Sequence, residues 1–378
     1  MQFRRSAPTI LIGAVVVAVA VLTALSMATF RTMIDSTEQA QFDLMRSIWA
    51  FNLKGAEARA LSRAELVSDL PSVRKLFIAK DRAGLLAETQ ELFKVQKEKH
   101  GIDQAQFHVL PAVSFLRLHA PDKFGDDLTA FRPMVVAIGQ DHQVKKGVAI
   151  ARSGPAVFGV VPINDEQGNY QGSFEMGIDF GSVLDGLKAA YGIEMALFIE
   201  EAPLKQFAPG APNDIYVDEN RFGKYLKYHA TNWGLLRQLV TSADLGADPE
   251  GVQFSRDAQG VPYGVLLVPL RNGAGNQLGV VALAKDFSVT RGAAGRTTVM
   301  LIAAALFAIV LLAGVVLVVI RGALLRPLGV IAARYGALAS GDTQSSISGE
   351  ETSCVELQTL AAHHEALRER IQSKGVES

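Results

Sequence analysis

A single cysteine, Cys354, occurs in the 378 residues. One thiol makes no intrachain disulfide and excludes both CxxCH haem attachment and a cysteine-rich zinc site. An excess of either charge sign is missing too. The 37 Lys and Arg stand against 38 Asp and Glu, for a formal net charge of -1, so no basic field marks a nucleic-acid binder. The chain has no phosphate-binding glycine loop, no G-x-S-x-G and no H-E-x-x-H. No pattern supplies a nucleophile, a base and an orienting group, so catalysis is not expected, nor a resident metal or cofactor.

Two stretches lack charge altogether: Ser6 to Phe30, and Thr297 to Ile320. Each exceeds the roughly 20 apolar residues that cross a bilayer as helix. Arg4 and Arg5 precede the first, and Arg321, Arg326 and Arg334 follow the second. Flanking arginines set orientation, so both termini are expected in the cytoplasm. The expected layout is a cytoplasmic start at 1–7, spans at 8–30 and 297–320, and an extracytoplasmic segment between them. A cleaved signal peptide ending near Ser26-Met27-Ala28 is the alternative for the first run, but that run is longer than the roughly 7–15 apolar residues of a signal core.

Between Phe30 and Pro71 there is no proline, and apolar residues recur at Phe42, Met45, Trp49, Leu53, Ala56 and Ala60. That spacing predicts one long amphipathic helix continuing outward over 31–80. An internal repeat follows. VPINDEQGNYQGSFEMGIDF, from Val161, aligns without gaps with VPLRNGAGNQLGVVALAKDF, from Val268. Pro162 meets Pro269, Gly168-Asn169 meets Gly275-Asn276, and Asp179-Phe180 meets Asp286-Phe287. Each copy reads as strand, glycine turn, strand. Two modules of one fold are expected, at 81–190 and 191–295, with 202–220 as a surface loop of the second.

The stretch FHVLPAVSFLRLHAPDKFGDDL, from Phe107, places ionisable groups among apolar ones. Ala105, Phe107 and Val109 alternate with Gln104, Gln106 and His108, which predicts a strand. After Pro111, period two puts Val113, Phe115, Arg117 and His119 on one face and Ser114, Leu116 and Leu118 on the other. Asp126 or Asp127 is the expected cap of a helix running to about Gly139. If the two strands share a sheet, His108, Arg117 and His119 converge.

Together these features resemble a bacterial double Cache sensor, of the subtype found on chemoreceptors and sensory enzymes. The resemblance rests on FHVLPAVSFLRLHAPDKFGDDLTAFR followed by GVVPINDEQGNYQGSFEMGIDF, and covers most of 31–296. It implies an α+β fold: two tandem PAS-like Cache modules on a long N-terminal helix, flanked by two transmembrane helices in a bacterial inner membrane. It also implies that the membrane-distal module holds a small ligand, and the ionisable groups there lead us to expect an anionic or zwitterionic one. The pocket candidates it suggests are Arg117, His119, His108, Asp126, Arg132, Glu175 and Asp179. The Arg117 fork suits a ligand carboxylate, and suits an ion pair with Asp126 or Asp127 equally. His108 and His119 are either anion donors or ordinary hydrogen-bonded strand histidines. Asp179 recurs in both repeats, which favours a helix cap over a ligand contact.

Beyond the second apolar run, Leu328, Ile331, Tyr335 and Leu338 form one helical stripe. Leu357, Leu360, His364, Leu367 and Ile371 form another after a Gly-Ser-rich connector. Neither helix buries its stripe alone, which predicts a parallel four-helix bundle in a homodimer. Pro327, Gly341-Asp342 and Glu356 are similar to the markers of a HAMP relay, while Val355, Gln358 and His364 depart from it. No output domain is expected to follow, so the expected reading is a sensor acting on a separate chemotaxis, kinase or cyclase partner. The alternatives are a membrane-anchored binding or scaffold protein, or a truncated chemoreceptor.

Overall fold

The computed structural model describes residues 3–246, 250–273, 275–347 and 355–376. Cys354 and part of the expected Gly-Ser connector lie outside the described residues. The chain divides into two compact units, Ser36–Arg291 and the remainder.

In the unit Ser36–Arg291, the long helix α1 (Phe3–Ser68) presents a buried line of Phe42, Met45, Trp49, Ala56, Ala60, Ala64 and Val67. Its alanines permit backbone contact: a Cβ on Gly159 would sit 2.3 Å from the Leu61 Cα. Pro71 opens α2 (Pro71–Ile78), where its fixed φ suits the first turn and no amide donor is lost. The next helix, α3 (Arg82–His100), starts on the Asp81 side chain and stops at Gly101 with φ +66°.

Next come β1 (Ile102–Val109), β2 (Val113–Arg117), α4 (Pro133–Asp141), β3 (Lys145–Ala151), β4 (Gly154–Asn164), β5 (Tyr170–Asp179) and α5 (Phe180–Tyr191). Their strands form an antiparallel sheet ordered β2-β1-β5-β4-β3. The second sheet uses β6 (Glu194–Glu200), β7 (Arg221–Phe222), β8 (Tyr225–Ala230), β9 (Val252–Ala258), β10 (Val261–Arg271) and β11 (Gln277–Asp286). Its order is β7-β8-β6-β11-β10-β9, with α6 (Glu201–Phe207), α7 (Trp233–Leu239) and α8 (Ser242–Leu245) between strands. The sequence repeat is the hairpin β4–β5 in one sheet and β10–β11 in the other. Both turns use the same device. The Asp165 side chain accepts from Asn169 N at 2.8 Å, and the Asn272 side chain from Asn276 N at 2.9 Å. Gly168 and Gly275 have φ of +86° and +85°, where a side chain would be strained.

Three local expectations are corrected. The second strand stops at Arg117, and Phe115 is a bulge: Phe107 pairs with Leu116 but His108 with Ser114. The extra residue turns Ser114 onto the face of Arg117 and sends Phe115 to the Phe77 ring, 5.7 Å away. Neither Asp126 nor Asp127 caps a helix. Asp126 is taken by Arg117, Asp127 by Thr129, and α4 begins instead at Pro133 with no side-chain cap. The stretch 202–220 is not a plain surface loop, because it holds most of α6 and two short 3-10 turns, Asn213–Tyr216 and Asp218–Asn220.

The remaining unit carries the first part of α1 and the helix α9 (Ser288–Val319) from Gly292. Both helices contain stretches long and apolar enough to cross a membrane, by length and composition. A π-helical segment, Ile320–Leu325, leads into α10 (Arg326–Ala339), and α11 (Val355–Val376) packs against it through Ile331, Leu357 and Ala361. His364 is fully buried, 4.8 Å from the Tyr335 ring. The buried line on α11 is thus Leu357, Ala361 and His364, whereas Leu360, Leu367 and Ile371 are exposed in the single chain.

Candidate functional site

A cavity of about 330 Å³ opens on the first sheet, on the face away from α1. On β1, Phe107 faces the helix side and packs against the rings of Phe174 and Phe77, while Gln104 and Gln106 face the cavity. The bulge at Phe115 brings Ser114 to Gln106, whose side-chain amide donates to the Ser114 hydroxyl at 2.9 Å.

Arg117 and Arg132 are both more than nine-tenths buried. Arg117 grips Asp126 with a two-pronged pair of 2.7 Å bonds, reaches the Lys123 carbonyl at 2.9 Å, and donates to Gln106 Oε1 at 3.3 Å. It therefore ties the sheet to the 123–126 segment that roofs the cavity. Arg82 ties β2 to the chain just before that segment by donating to the Phe115 and Pro121 carbonyls. Arg132 enters just before α4, pairs with Glu175 on β5, and lies 4.1 Å from the centre of the Phe158 ring. Glu175 is 2% exposed, so it needs that cation. Burial pushes its carboxyl up, but Arg132 and then His108 pull it down harder, to about 2.

Of the seven residues named from sequence, Arg117, His119, Asp126, Arg132 and Glu175 line this cavity. His108 lies behind it, buried, with Nδ1 3.0 Å from the Ser173 hydroxyl and Nε2 3.7 Å from Glu175. The His119 ring nitrogen stands 3.2 Å from the Ala105 carbonyl oxygen. The protein around that ring lowers its pKa, helped by Arg117 and Arg132 and opposed by Ala105 and Glu175. The Arg117 fork holds the Asp126 carboxyl below its ordinary value. Asp179 is not in the cavity. It caps α5, accepting from the Ser182 amide at 2.7 Å. Tyr170, Tyr225 and Tyr228 do not line the cavity either.

Sequence reasoning missed Gln104, Gln106 and Arg152, and missed the second module's share: Phe207, Pro209 and Gly210 complete the wall. The glutamines had a signal, because they alternate with buried apolar residues on a strand that is covered on both faces. The second sheet has a different face in the corresponding place. The repeat sets Val280 against Ser173 and Ala282 against Glu175. There Phe198, Phe222 and Trp233 fill the space, with ring centroids 5.3 to 6.2 Å apart. The charged lining therefore belongs to the first copy.

Two sheets on one long helix, with a polar cavity in the first, define a double sensory domain. Residues 46–290 match the family described as the double sensory domain of two-component sensor kinases, and the chain belongs to that family. Among solved structures, it is similar to the periplasmic domain of Vibrio cholerae LuxQ, at 10% identity and TM-score 0.40 over 66% of this chain and 99% of that one. It is also similar to the ligand-binding domain of the Pseudomonas fluorescens chemoreceptor CtaA in complex with L-serine, at 10% identity and TM-score 0.35 over 66% and 98%. The sensory domain of the Campylobacter jejuni chemoreceptor Tlp3 with isoleucine bound gives 11% identity and TM-score 0.32 over 71% and 97%. No curated protein matches the chain in sequence.

Proposed function

We propose that the chain is a transmembrane receptor whose first module binds a small zwitterion of amino-acid type. One observation carries this: a single cavity presents both charge signs, as Arg117 beside Asp126 and Arg132 beside Glu175, with the exposed Arg152 and Lys123 at its rim. A ligand carboxylate finds guanidinium donors there, and a ligand ammonium finds Glu175 or Asp126. The neighbouring amides of Gln104 and Gln106 offer donors and acceptors whatever the pH. No catalytic step is assigned to the cavity.

The two apolar helices cross the bacterial inner membrane, with residues 31–296 outside and both ends in the cytoplasm. Two copies associate, so that the exposed line of Leu360, Leu367 and Ile371 is covered in a HAMP-like four-helix bundle. Ligand binding favours one of two packings of that bundle, in proportion to its unequal affinity for them, and a cytoplasmic signalling partner reads the result. The test is a thermal-shift panel of amino acids, organic acids and amines on residues 36–291. Zwitterions should raise the midpoint in a concentration-dependent way, and simple amines should not. A panel in which only amines act would overturn the reading.

A further inference from the structure

A second cavity, of about 310 Å³, adjoins the first. Met134 and Ala137 on α4, Ala149 on β3 and Leu278 on β11 line it, and it shares Phe131 and Phe207 with the polar cavity. Its charged lining is limited to Lys145, which is paired with Asp141, and Lys146, which is exposed. Pockets of this size with apolar walls take apolar groups, because their polar contents would lose water without replacement partners. Both modules build it: Leu278 follows the repeated turn of the second sheet, and Gly273 of that turn approaches Gly147 on β3 closely enough that a Cβ on Gly147 would lie 3.5 Å from the Gly273 nitrogen.

We propose that the ligand has two ends: a zwitterionic head in the polar cavity and an unbranched apolar side chain that passes between Phe131 and Phe207 into the second cavity. This rests on the zwitterion reading above and adds the chemical class of the side chain. The occupant follows from continuity, since Phe131 and Phe207 line both cavities. The tail would touch Leu278, so a long ligand joins the two sheets where a short one touches the first cavity alone.

The experiment uses the full chain in lipid nanodiscs, with empty nanodiscs as reference, titrated calorimetrically with unbranched 2-amino acids from alanine to 2-aminodecanoate. Affinity should rise about fourfold per added methylene until the cavity is full. Ala149→Phe and, more gently, Ala137→Leu fill the second cavity; either should abolish that gain and leave alanine binding unchanged. Equal affinity along the series overturns the two-ended ligand and leaves the zwitterion site standing. A gain that survives both variants places the tail elsewhere and also overturns it. Binding by no member of the series removes the zwitterion site itself, and this inference with it.

Discussion

The Tyr228 hydroxyl, on β8 of the second sheet, donates a 2.9 Å hydrogen bond to the carbonyl oxygen of Ser153, in the turn between β3 and β4 of the first. The fit is close: Gly154 holds φ +131°, and a Cβ there would fall 1.8 Å from the Tyr228 oxygen. One residue earlier, the Gly210 amide donates to the Arg152 carbonyl at 2.9 Å. The turn that carries Arg152 and Ser153 to the cavity is therefore held on both sides by the second module. A ligand that engages Arg152 pulls on a segment bonded to β8.

Tyr228→Phe removes that bond without altering the cavity lining. It should cost about 1 kcal/mol of stability, the usual net worth of one hydrogen bond. Ligand should still bind, but the protection it confers on β8 amides in hydrogen exchange should shrink. Unchanged protection would show that this contact does not link the modules.

Arg132→Ala leaves Glu175, 2% exposed, without its cation, whereas Arg117→Ala leaves Asp126, whose side chain is 40% exposed and can be hydrated. The first should destabilise residues 36–291 by about 3–5 kcal/mol and the second by much less. Urea denaturation of both variants measures the difference.

Glu175 sets a pH dependence of known sign. Its folded value, about 2, lies below the ordinary 4.5. Its contribution is therefore complete above about 4.5 and is lost as pH falls toward 2. Asp103 runs the other way. Burial first, and then the Asp179 charge, raise it from 3.8 to about 6. The advantage of its protonated form is complete below 3.8 and is lost as pH rises to about 6. Asp103→Asn should thus stabilise the domain at pH 7, by on the order of 2 kcal/mol, and flatten its stability between pH 4 and 6. Thermal melts across that range check it.

Asp179→Ala removes the N-cap of α5 and should cost about 1 kcal/mol. Ligand affinity should stay as it is, because Asp179 does not touch the cavity. A large loss of affinity without a matching loss of stability would return Asp179 to the site.

The repeat made Asp179 legible. A residue shared by both copies does the work common to both, and here it accepts from the Ser182 amide at 2.7 Å. The same comparison, applied to the residues that differ, singles out Ser173 and Glu175, which align with Val280 and Ala282 in the other copy. The buried face of α1 was readable because its apolar residues fall at helical spacing with no proline to interrupt them. The bulge at Phe115 was not readable, because period two has no mark for an inserted residue and every side chain beyond it changes face. The wall supplied by Phe207, Pro209 and Gly210 was hidden for another reason. It is a contact between modules, set by tertiary packing rather than by local pattern.

Calorimetric titration of a thermal-shift hit into residues 36–291 and into the Arg117→Ala variant reads the zwitterion site of the first module. The parent should show one site per chain and Arg117→Ala a site at least tenfold weaker, a difference of about 1.4 kcal/mol or more. Equal affinity in the two proteins would contradict it and would move recognition out of this cavity.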